Sequence, residues 1–239
     1  AAYRRDVLVD DHTVVLGWSA KVPTIVGELI DENFELGTSR PIVVLTDQSP
    51  ADVRTALALH IPGFETCGTP VLCRLGDPSD PASVAIPPPE RARAVIAVEE
   101  DAVPGRLVRT GLAAMSVLRS TDAATVFPRS AAPPSKPVVI AEVTDPGMAT
   151  SLRRAMGAGA IVVCVTSFLA RTTAVTCRSV GVADAYAELL STHGSELHVQ
   201  PYAFADARPV AELLHGFSDA CLVGVVHHDR CSLNPSPHH

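Results

Sequence analysis

The sequence predicts an α/β fold: a Rossmann-like doubly wound parallel sheet, followed by crossover helices and a small α+β lobe at the carboxyl end. Three observations point there. Short apolar runs alternate with segments of helical periodicity along most of the 239 residues. Those runs are apolar at successive positions, as parallel strands buried on both faces are. The first of them, His12 to Gly17, passes through Trp18-Ser19-Ala20-Lys21 directly into an amphipathic segment, which is how a βαβ unit opens.

The elements follow in order. The first helix is marked by Val22, Ile25, Val26, Leu29 and Ile30, which form one apolar stripe, with Glu28, Asp31 and Glu32 elsewhere on the wheel. Ile42-Val43-Val44-Leu45-Thr46 is the second strand and ends at Asp47. Ser49-Pro50-Ala51-Asp52 then supplies a cap, a proline at the first helical position and an acid three residues after the cap. Further strands are predicted at Val71–Leu75, Ala94–Val98, Pro137–Val143 and Ala160–Thr166, with a helix around Pro104–Arg119. Residues 121–136, rich in Ala, Ser and Pro, are expected to form a loop on the surface. A helical stretch from Phe168 to Leu190 breaks near Gly181, and Leu197–Tyr202, a short helix near Val210–Leu214 and the strand Ala220–Val226 make the small lobe. Val103–Leu118 and Met148–Met156 carry apolar residues on more than one helical face, so part of that surface is expected to be covered by neighbouring copies.

Composition narrows the function. Apolar residues make up 47% of the chain, yet no window approaches the ~18 uninterrupted apolar residues that a membrane span needs. A formal charge of −7 and the lack of a basic run argue against nucleic acid, whose binding rests on neutralising phosphates. The six cysteines are scattered with no C-x-x-C pair, which fits reduced, buried thiols.

In an open α/β sheet, ligands bind outside the carboxyl ends of the strands. This chain places Gly17-Trp18-Ser19, Asp47, Arg74 with Gly76-Asp77, Glu99-Glu100-Asp101, and Glu142 with Thr144-Asp145 at that edge. A dinucleotide fingerprint requires glycine where Ser19 and Val22 stand, so that backbone can approach the pyrophosphate. Only Gly17 remains, and NAD binding is not expected. A nucleotide used as a regulator keeps Asp47 for the ribose, with Ser19 and Arg74 near the phosphates and Gly17 and Asp77 among the residues of the same site. An NAD-dependent oxidoreductase is disfavoured further by the lack of a catalytic His or a Tyr-Lys pair.

The acids support a second reading. Glu99, Glu100, Glu142 and Asp145 fall at the ends of adjacent strands, and Ca²⁺ relieves the repulsion of gathered carboxylates by taking six to eight oxygen ligands. Asp145-Pro146 equally reads as a helix cap followed by proline. Glu142 is a charge within an apolar strand, and no Lys or Arg lies in the same strand end. It therefore needs a cation or a partner from another element. His227-His228-Asp229 with Cys231 matches no zinc spacing, and Cys177 has no base fixed beside it.

Val14-Val15-Leu16-Gly17-Trp18-Ser19, Gly76-Asp77-Pro78, Ala92-Arg93-Ala94-Val95-Ile96 and Ile140-Ala141-Glu142 resemble the successive strand ends of an RCK domain, the cytosolic module that regulates potassium conductance. Gly27-Glu28-Leu29, the stretch from Ala170-Arg171-Thr172 to Thr176-Cys177-Arg178, Glu188-Leu189-Leu190, Gly194-Ser195-Glu196 and Leu233-Asn234-Pro235 are similar to Castor and Pollux type ion channels and their bacterial relatives. The resemblance implies a ligand-sensing, non-enzymatic domain at the cytoplasmic face of the cell membrane. It implies a linker at 1–11 from a pore-forming part of the same polypeptide, a Rossmann-like lobe at 12–166, crossover helices at 167–194 and a small lobe at 195–239. A second RCK module beyond residue 239 and a tetrameric gating ring with helical subunit contacts are implied too. In the calcium-gated relatives two acids near the fifth strand join one after the fourth. Glu142 matches one of the pair, Thr144 stands at the other position, and Val98 falls opposite the remaining acid with Glu99 beside it.

Overall fold

The computed structural model describes residues 9–98, 105–122, 137–157, 160–192, 195, 197–199, 209–214, 216–218, 220–227 and 230–236. Contacts divide the chain into two units, Ala1–Gly194 and Ser195–His239.

The first unit is built on six strands: β1 (His12–Leu16), β2 (Ile42–Thr46), β3 (Val71–Leu75), β4 (Ala92–Ala97), β5 (Val138–Val143) and β6 (Ala160–Cys164). They form one parallel sheet in the order β3-β2-β1-β4-β5-β6, the doubly wound arrangement whose direction of winding reverses between β1 and β4. The helices are α1 (Val22–Glu35), α2 (Pro50–His60), α3 (Pro81–Val84), α4 (Arg106–Asp122), α5 (Pro146–Met156), α6 (Val165–Thr176) and α7 (Val182–Leu190).

Successive residues of a strand point to opposite faces, and the core divides accordingly. Val14 and Leu16 join Val95, Ala97, Val139, Ala141 and Val143 beneath α4 and α5, while Val15, Val44 and Val98 pack under α1 and α2. Leu16, Leu45, Leu57, Leu152 and Met156 are fully buried, so each removes most of its apolar surface from water, a gain of about 2 kcal/mol apiece. Met156 also fills the space beside Gly111, where an added Cβ would lie 3.1 Å from its sulfur.

Several expectations change in detail. β4 starts at Ala92 instead of Ala94, because the β1–β4 pairing is irregular between His12 and Thr13 and takes in the extra residues. β6 stops at Cys164 instead of Thr166, and α6 follows at once with Cys164 as its cap residue. The helix expected from Pro104 is described from Arg106 and runs on to Asp122; residues 123–136 lie outside the described part. α3 was not anticipated. It is nucleated by Asp80, whose carboxylate accepts from the Ala82 and Ser83 amides at 3.1 and 3.2 Å. Ser49 precedes α2 as expected but makes no side-chain capping bond.

One burial expectation is corrected and one is narrowed. Of the six cysteines only Cys73 is buried; Cys177, Cys221 and Cys231 are exposed, because α6 buries no residue and the other two lie in the small unit. The apolar faces of α4 and α5 are largely used within the unit, where Ala113, Ala114, Val117, Leu152 and Met156 enter the core with Leu107, Val108 and Met115 packed against it, and Leu112 stays exposed on α4. A run of uncovered apolar surface lies on β6, α6 and α7, where Ile161, Val163, Phe168, Leu169, Tyr186 and Leu190 are exposed, beside scattered exposed residues such as Phe34 and Leu59 elsewhere. Phe168 and Tyr186 meet edge-on at 6.5 Å, which joins α6 to α7.

The second unit contains α8 (Val210–Leu213) and an antiparallel pair, β7 (Gly224–His227) with β8 (Arg230–Leu233). The strand expected over Ala220–Val226 is thus displaced towards its end, and β8 returns beyond the hairpin end that His227-His228-Asp229 marks in the sequence.

Candidate functional site

The carboxyl edge of the sheet begins with Gly17. Its φ is +99°, and a Cβ there would stand 2.0 Å from the Val98 carbonyl oxygen. The chain leaves β1 in a conformation that favours glycine and passes tight against the end of β4. Ser19 is buried, and its hydroxyl accepts from the Lys21 amide at 3.3 Å while its carbonyl accepts from the Val22 amide at 3.1 Å. Pro23, next in α1, has no amide hydrogen. The donors that a pyrophosphate takes at such a turn are therefore satisfied internally or missing. Trp18 packs against the core beneath α1.

Asp47, at the end of β2, receives Arg106 from the first turn of α4, with Nη2 2.7 Å from its carboxylate. Asp77 accepts from the Ser79 amide and hydroxyl at 2.9 and 2.8 Å; these bonds, with Arg106 and Arg109 nearby, hold its carboxyl below the usual range. Arg74 lies back along β3, donating from Nη1 to the Cys73 carbonyl at 3.2 Å with its Nε buried and unbonded. Gly17, Ser19, Asp47, Arg74 and Asp77 thus share one edge, yet Asp47 and Ser19 are engaged by the protein itself.

On the other side of the switch point, the register that aligns Leu16 with Ala97 and Ala97 with Ala141 puts Glu142 one step further on, paired with Val163. Glu142 belongs to the α1 side of the sheet. Its carboxylate forms an ion pair with the Lys21 ammonium, with side-chain exposures of 17% for Glu142 and 47% for Lys21. The partner that this charge requires is therefore supplied by the turn after β1. Asp145 caps α5, accepting from the Gly147 and Met148 amides at 3.1 and 3.0 Å. Thr144 contributes its carbonyl to the Cys164 thiol at 3.6 Å. The Cys164 thiol is pushed down, chiefly by the Ser167 hydroxyl 3.3 Å away. Glu99 and Glu100 lie outside the described residues. Among the described residues, no three His, Cys, Asp or Glu side chains gather to hold a metal. His228 and Asp229 also fall outside them, and Cys231 lies on β8 opposite Val226.

Two site residues escape sequence reasoning, Lys21 and Arg106. A signal for the first existed: only two of the 19 basic residues are lysines, and one of them stands in the turn after Gly17.

The chain is 23% identical over 226 residues to the probable ion channel CASTOR of Oryza sativa subsp. japonica, an alignment that takes in 93% of this chain and 23% of that protein. It is 31% identical over 98 residues both to the probable ion channel POLLUX of Arabidopsis thaliana and to the ion channel CASTOR of Lotus japonicus, covering 41% of this chain. The chain is similar to ion channels of the Castor and Pollux type. The domain spans about a quarter or less of the curated relatives it matches, 23%, 12% and 11% of their lengths. No family model matches it. Among solved structures it resembles a GsuK channel bound to NAD, at 22% identity and a TM-score of 0.46 over 71% of this chain and 24% of that one. The GsuK RCK domain gives 17% and 0.42 over 66% and 27%. GsuK bound to ADP gives 18% and 0.47 over 86% and 49%. Among its described residues the chain has no helix long and apolar enough to cross a membrane.

Proposed function

We propose that this chain is the regulatory domain of a cation channel of the potassium-channel kind, attached to a pore-forming part of the same polypeptide and standing at the cytoplasmic face of the membrane. It performs no chemistry. It converts ligand binding into movement within a ring of copies, four in number, and a ligand shifts that ring only by its differential affinity for the two arrangements.

The ligand we propose is Ca²⁺, bound at Glu142 with Glu99 and Glu100 completing the oxygen set. The observation that supports it is the Glu142 carboxylate itself, a charge at the end of an apolar strand beside the reversal of the sheet, where open α/β sheets bind their ligands. Its neighbours in the sheet are Ala141, Val143 and Val163, which contribute no polar side chain. A carboxylate next to such residues needs a positive charge, which Lys21 supplies in this structure and which a bound Ca²⁺ would supply in its place. Asp145 is left out of the ligand set, since both of its oxygens are taken by amides of α5.

Calcium titration followed by thermal unfolding tests the reading. A ligand at 100 times its dissociation constant stabilises by about 2.7 kcal/mol, which moves the midpoint by several degrees in a domain of this size. Glu142→Gln should abolish that shift and leave the metal-free fold standing. A calcium shift that persists unchanged in Glu142→Gln moves the site elsewhere, and no shift in either protein rejects calcium as the ligand.

A further inference from the structure

We propose that the outer edge of β3 is a docking edge for an extended, acidic polypeptide segment, which joins the sheet as a further strand antiparallel to β3 and seats one apolar side chain in the cavity beside Val71. The proposal is independent of the ligand considered above.

β3 is an outer strand of the sheet and pairs with β2. Its backbone alternates between that partner and the outside. The Pro70 carbonyl accepts from the Ile42 amide at 2.9 Å and the Gly76 amide donates to the Thr46 carbonyl at 2.9 Å, which turns the even-numbered residues of this stretch towards β2. The N–H and C=O groups of Val71, Cys73 and Leu75 therefore point out of the sheet. Among the described residues the Cys73 carbonyl alone of these has a partner, Arg74 Nη1 at 3.2 Å. A row of open N–H and C=O groups is matched by a backbone that presents the same groups in extended form. Doubly wound sheets commonly carry such an edge strand in the antiparallel sense.

A cavity of about 310 Å³ lies against the start of this edge, lined by Arg54 of α2, by Phe64 and Cys67, and by Val71 itself. Val71 and Cys73 pack on the α2 side of the sheet, and a residue paired with Val71 directs its side chain to that same side. Phe64 is buried with the Arg54 guanidinium 5.4 Å from its ring centre, so the cavity offers an apolar lining to one side chain of the incoming strand. Backbone bonds along the edge supply affinity, and the cavity supplies selectivity.

Charge selects the occupant. The chain as a whole carries −7, yet this edge is positive. Burial pushes the Cys73 thiol up while Arg54 and Arg74 both pull it down, which places both guanidiniums near the middle of the strand. Arg54 is paired with Glu65. Arg74 meets no carboxylate among the described residues, and its Nε is buried and unbonded. A carboxylate on the residue opposite Arg74 gives that guanidinium a charged partner and draws it off the Cys73 carbonyl, which the new strand then takes. A second copy fits this edge less well. Its β3 would pair antiparallel about Cys73, and the two-fold axis would gather the arginines of both copies in one place. In the unoccupied edge Arg74 is the charge that keeps other strands away.

The probe is the peptide Ser-Thr-Glu-Val-Thr-Leu-Ser, blocked at both ends, whose Glu falls opposite Arg74 when its Leu falls opposite Val71. Hydrogen exchange of the full chain with millimolar peptide should slow at the amides of Val71, Cys73 and Leu75 and stay as it was at Leu72 and Arg74, which β2 already holds. Fluorescence anisotropy should find the labelled peptide with Lys in place of Glu bound about tenfold more weakly, and Arg74→Gln should bring the two peptides to equal affinity. Unchanged exchange at Val71, Cys73 and Leu75 in millimolar peptide overturns the docking edge. Slowing that needs no peptide and grows with protein concentration gives the edge to a second copy and overturns the occupant. Equal affinity of the unsubstituted chain for the two peptides overturns the selection by charge, and equal affinity for a peptide with Ser in place of Leu overturns the role of the cavity.

Discussion

The Arg106 guanidinium meets the Asp47 carboxylate at 2.7 Å, joining the first turn of α4 to the end of β2 across 59 residues of sequence. The carboxylate at which such folds hydrogen-bond a ribose thus has a cation on it already. The same holds on the far side of the switch point, where Lys21 occupies Glu142.

The first prediction follows from that pair and from the turn beside it. A dinucleotide would have to displace Arg106 and find free amides at Lys21 and Val22, which Ser19 has engaged. Calorimetry should show no saturable micromolar binding of NAD(H). Arg106→Ala should not restore it, because freeing Asp47 leaves the pyrophosphate without donors. Micromolar binding by the unsubstituted chain, lost in Asp47→Ala, would contradict this and favour a nucleotide regulator.

A second prediction concerns Gly17. An alanine there meets the Val98 carbonyl oxygen at 2.0 Å, and that oxygen is backbone, held in place by the bond from the Val98 amide to Leu16. The φ of +99° adds strain of its own. Gly17→Ala should cost at least about 3 kcal/mol in denaturant unfolding. Gly37→Ala is the control: its φ is +60°, nothing stands within 4 Å of the added Cβ, and its cost should be near 1 kcal/mol. Equal costs would mean that the close approach of β1 and β4 does not matter to the fold.

The sequence and the structure agree where local pattern decides. Continuous apolar runs fix β1, β2, β3 and β5 within a residue or so, since a strand buried on both faces leaves no other choice for Val14-Val15-Leu16 or Val43-Val44-Leu45. Asp145 before Pro146 reads as a cap because both residue types have a local reason to be there. Asp80 before Pro81 carried the same signal for α3. What escapes is pairing at a distance. Lys21 and Glu142 stand 121 residues apart, and only the sheet order brings them together. In the small unit His227-His228-Asp229 reads as a hairpin end, as the β7–β8 pair has it, but the strand bounds escape: β7 and β8 have four residues each, and half-exposed strands of that length carry little pattern.

A third prediction comes from His12. It is fully buried at the start of β1. Burial pushes its pKa down to about 4, with Arg91 adding to the depression, against the opposing pull of Asp10, Asp11 and a hydrogen bond to the Val9 backbone. The imidazole is neutral in the fold and takes a proton near 6.5 once unfolded. Between these values the unfolded state binds more protons, so stability rises with pH from about 4 to about 6.5 and is level above, a gain of about 3 kcal/mol. His12→Leu should flatten that limb in denaturant midpoints measured from pH 4 to 7. A limb of unchanged slope in His12→Leu would place its origin in another group. Asp77 and Asp80 do not account for it, since their depressed carboxyls stay ionised until the pH falls below the ordinary carboxylate range.

The last prediction concerns assembly. β6 is the outer strand of the sheet, and Ile161 and Val163 on it are 53% and 41% exposed. α6 and α7 bury no residue, although Phe168, Leu169 and Leu190 stand on them with 44%, 56% and 62% of their surfaces in water. A helix with an apolar stripe and no buried residue has little packing to hold it, and short helices are marginal in water without such packing. A single copy therefore leaves α6 and α7 the least protected helices of the first unit, and a second copy covering them would supply the missing burial. Light scattering should show a dimer or larger species whose amides in α6 and α7 exchange more slowly as concentration rises. Leu169→Asp with Leu190→Asp should return the chain to a monomer without lowering the stability of the sheet, because neither side chain enters its core. A monomer at every concentration, with α6 and α7 exchanging at one rate throughout, would show that this face is not where copies meet.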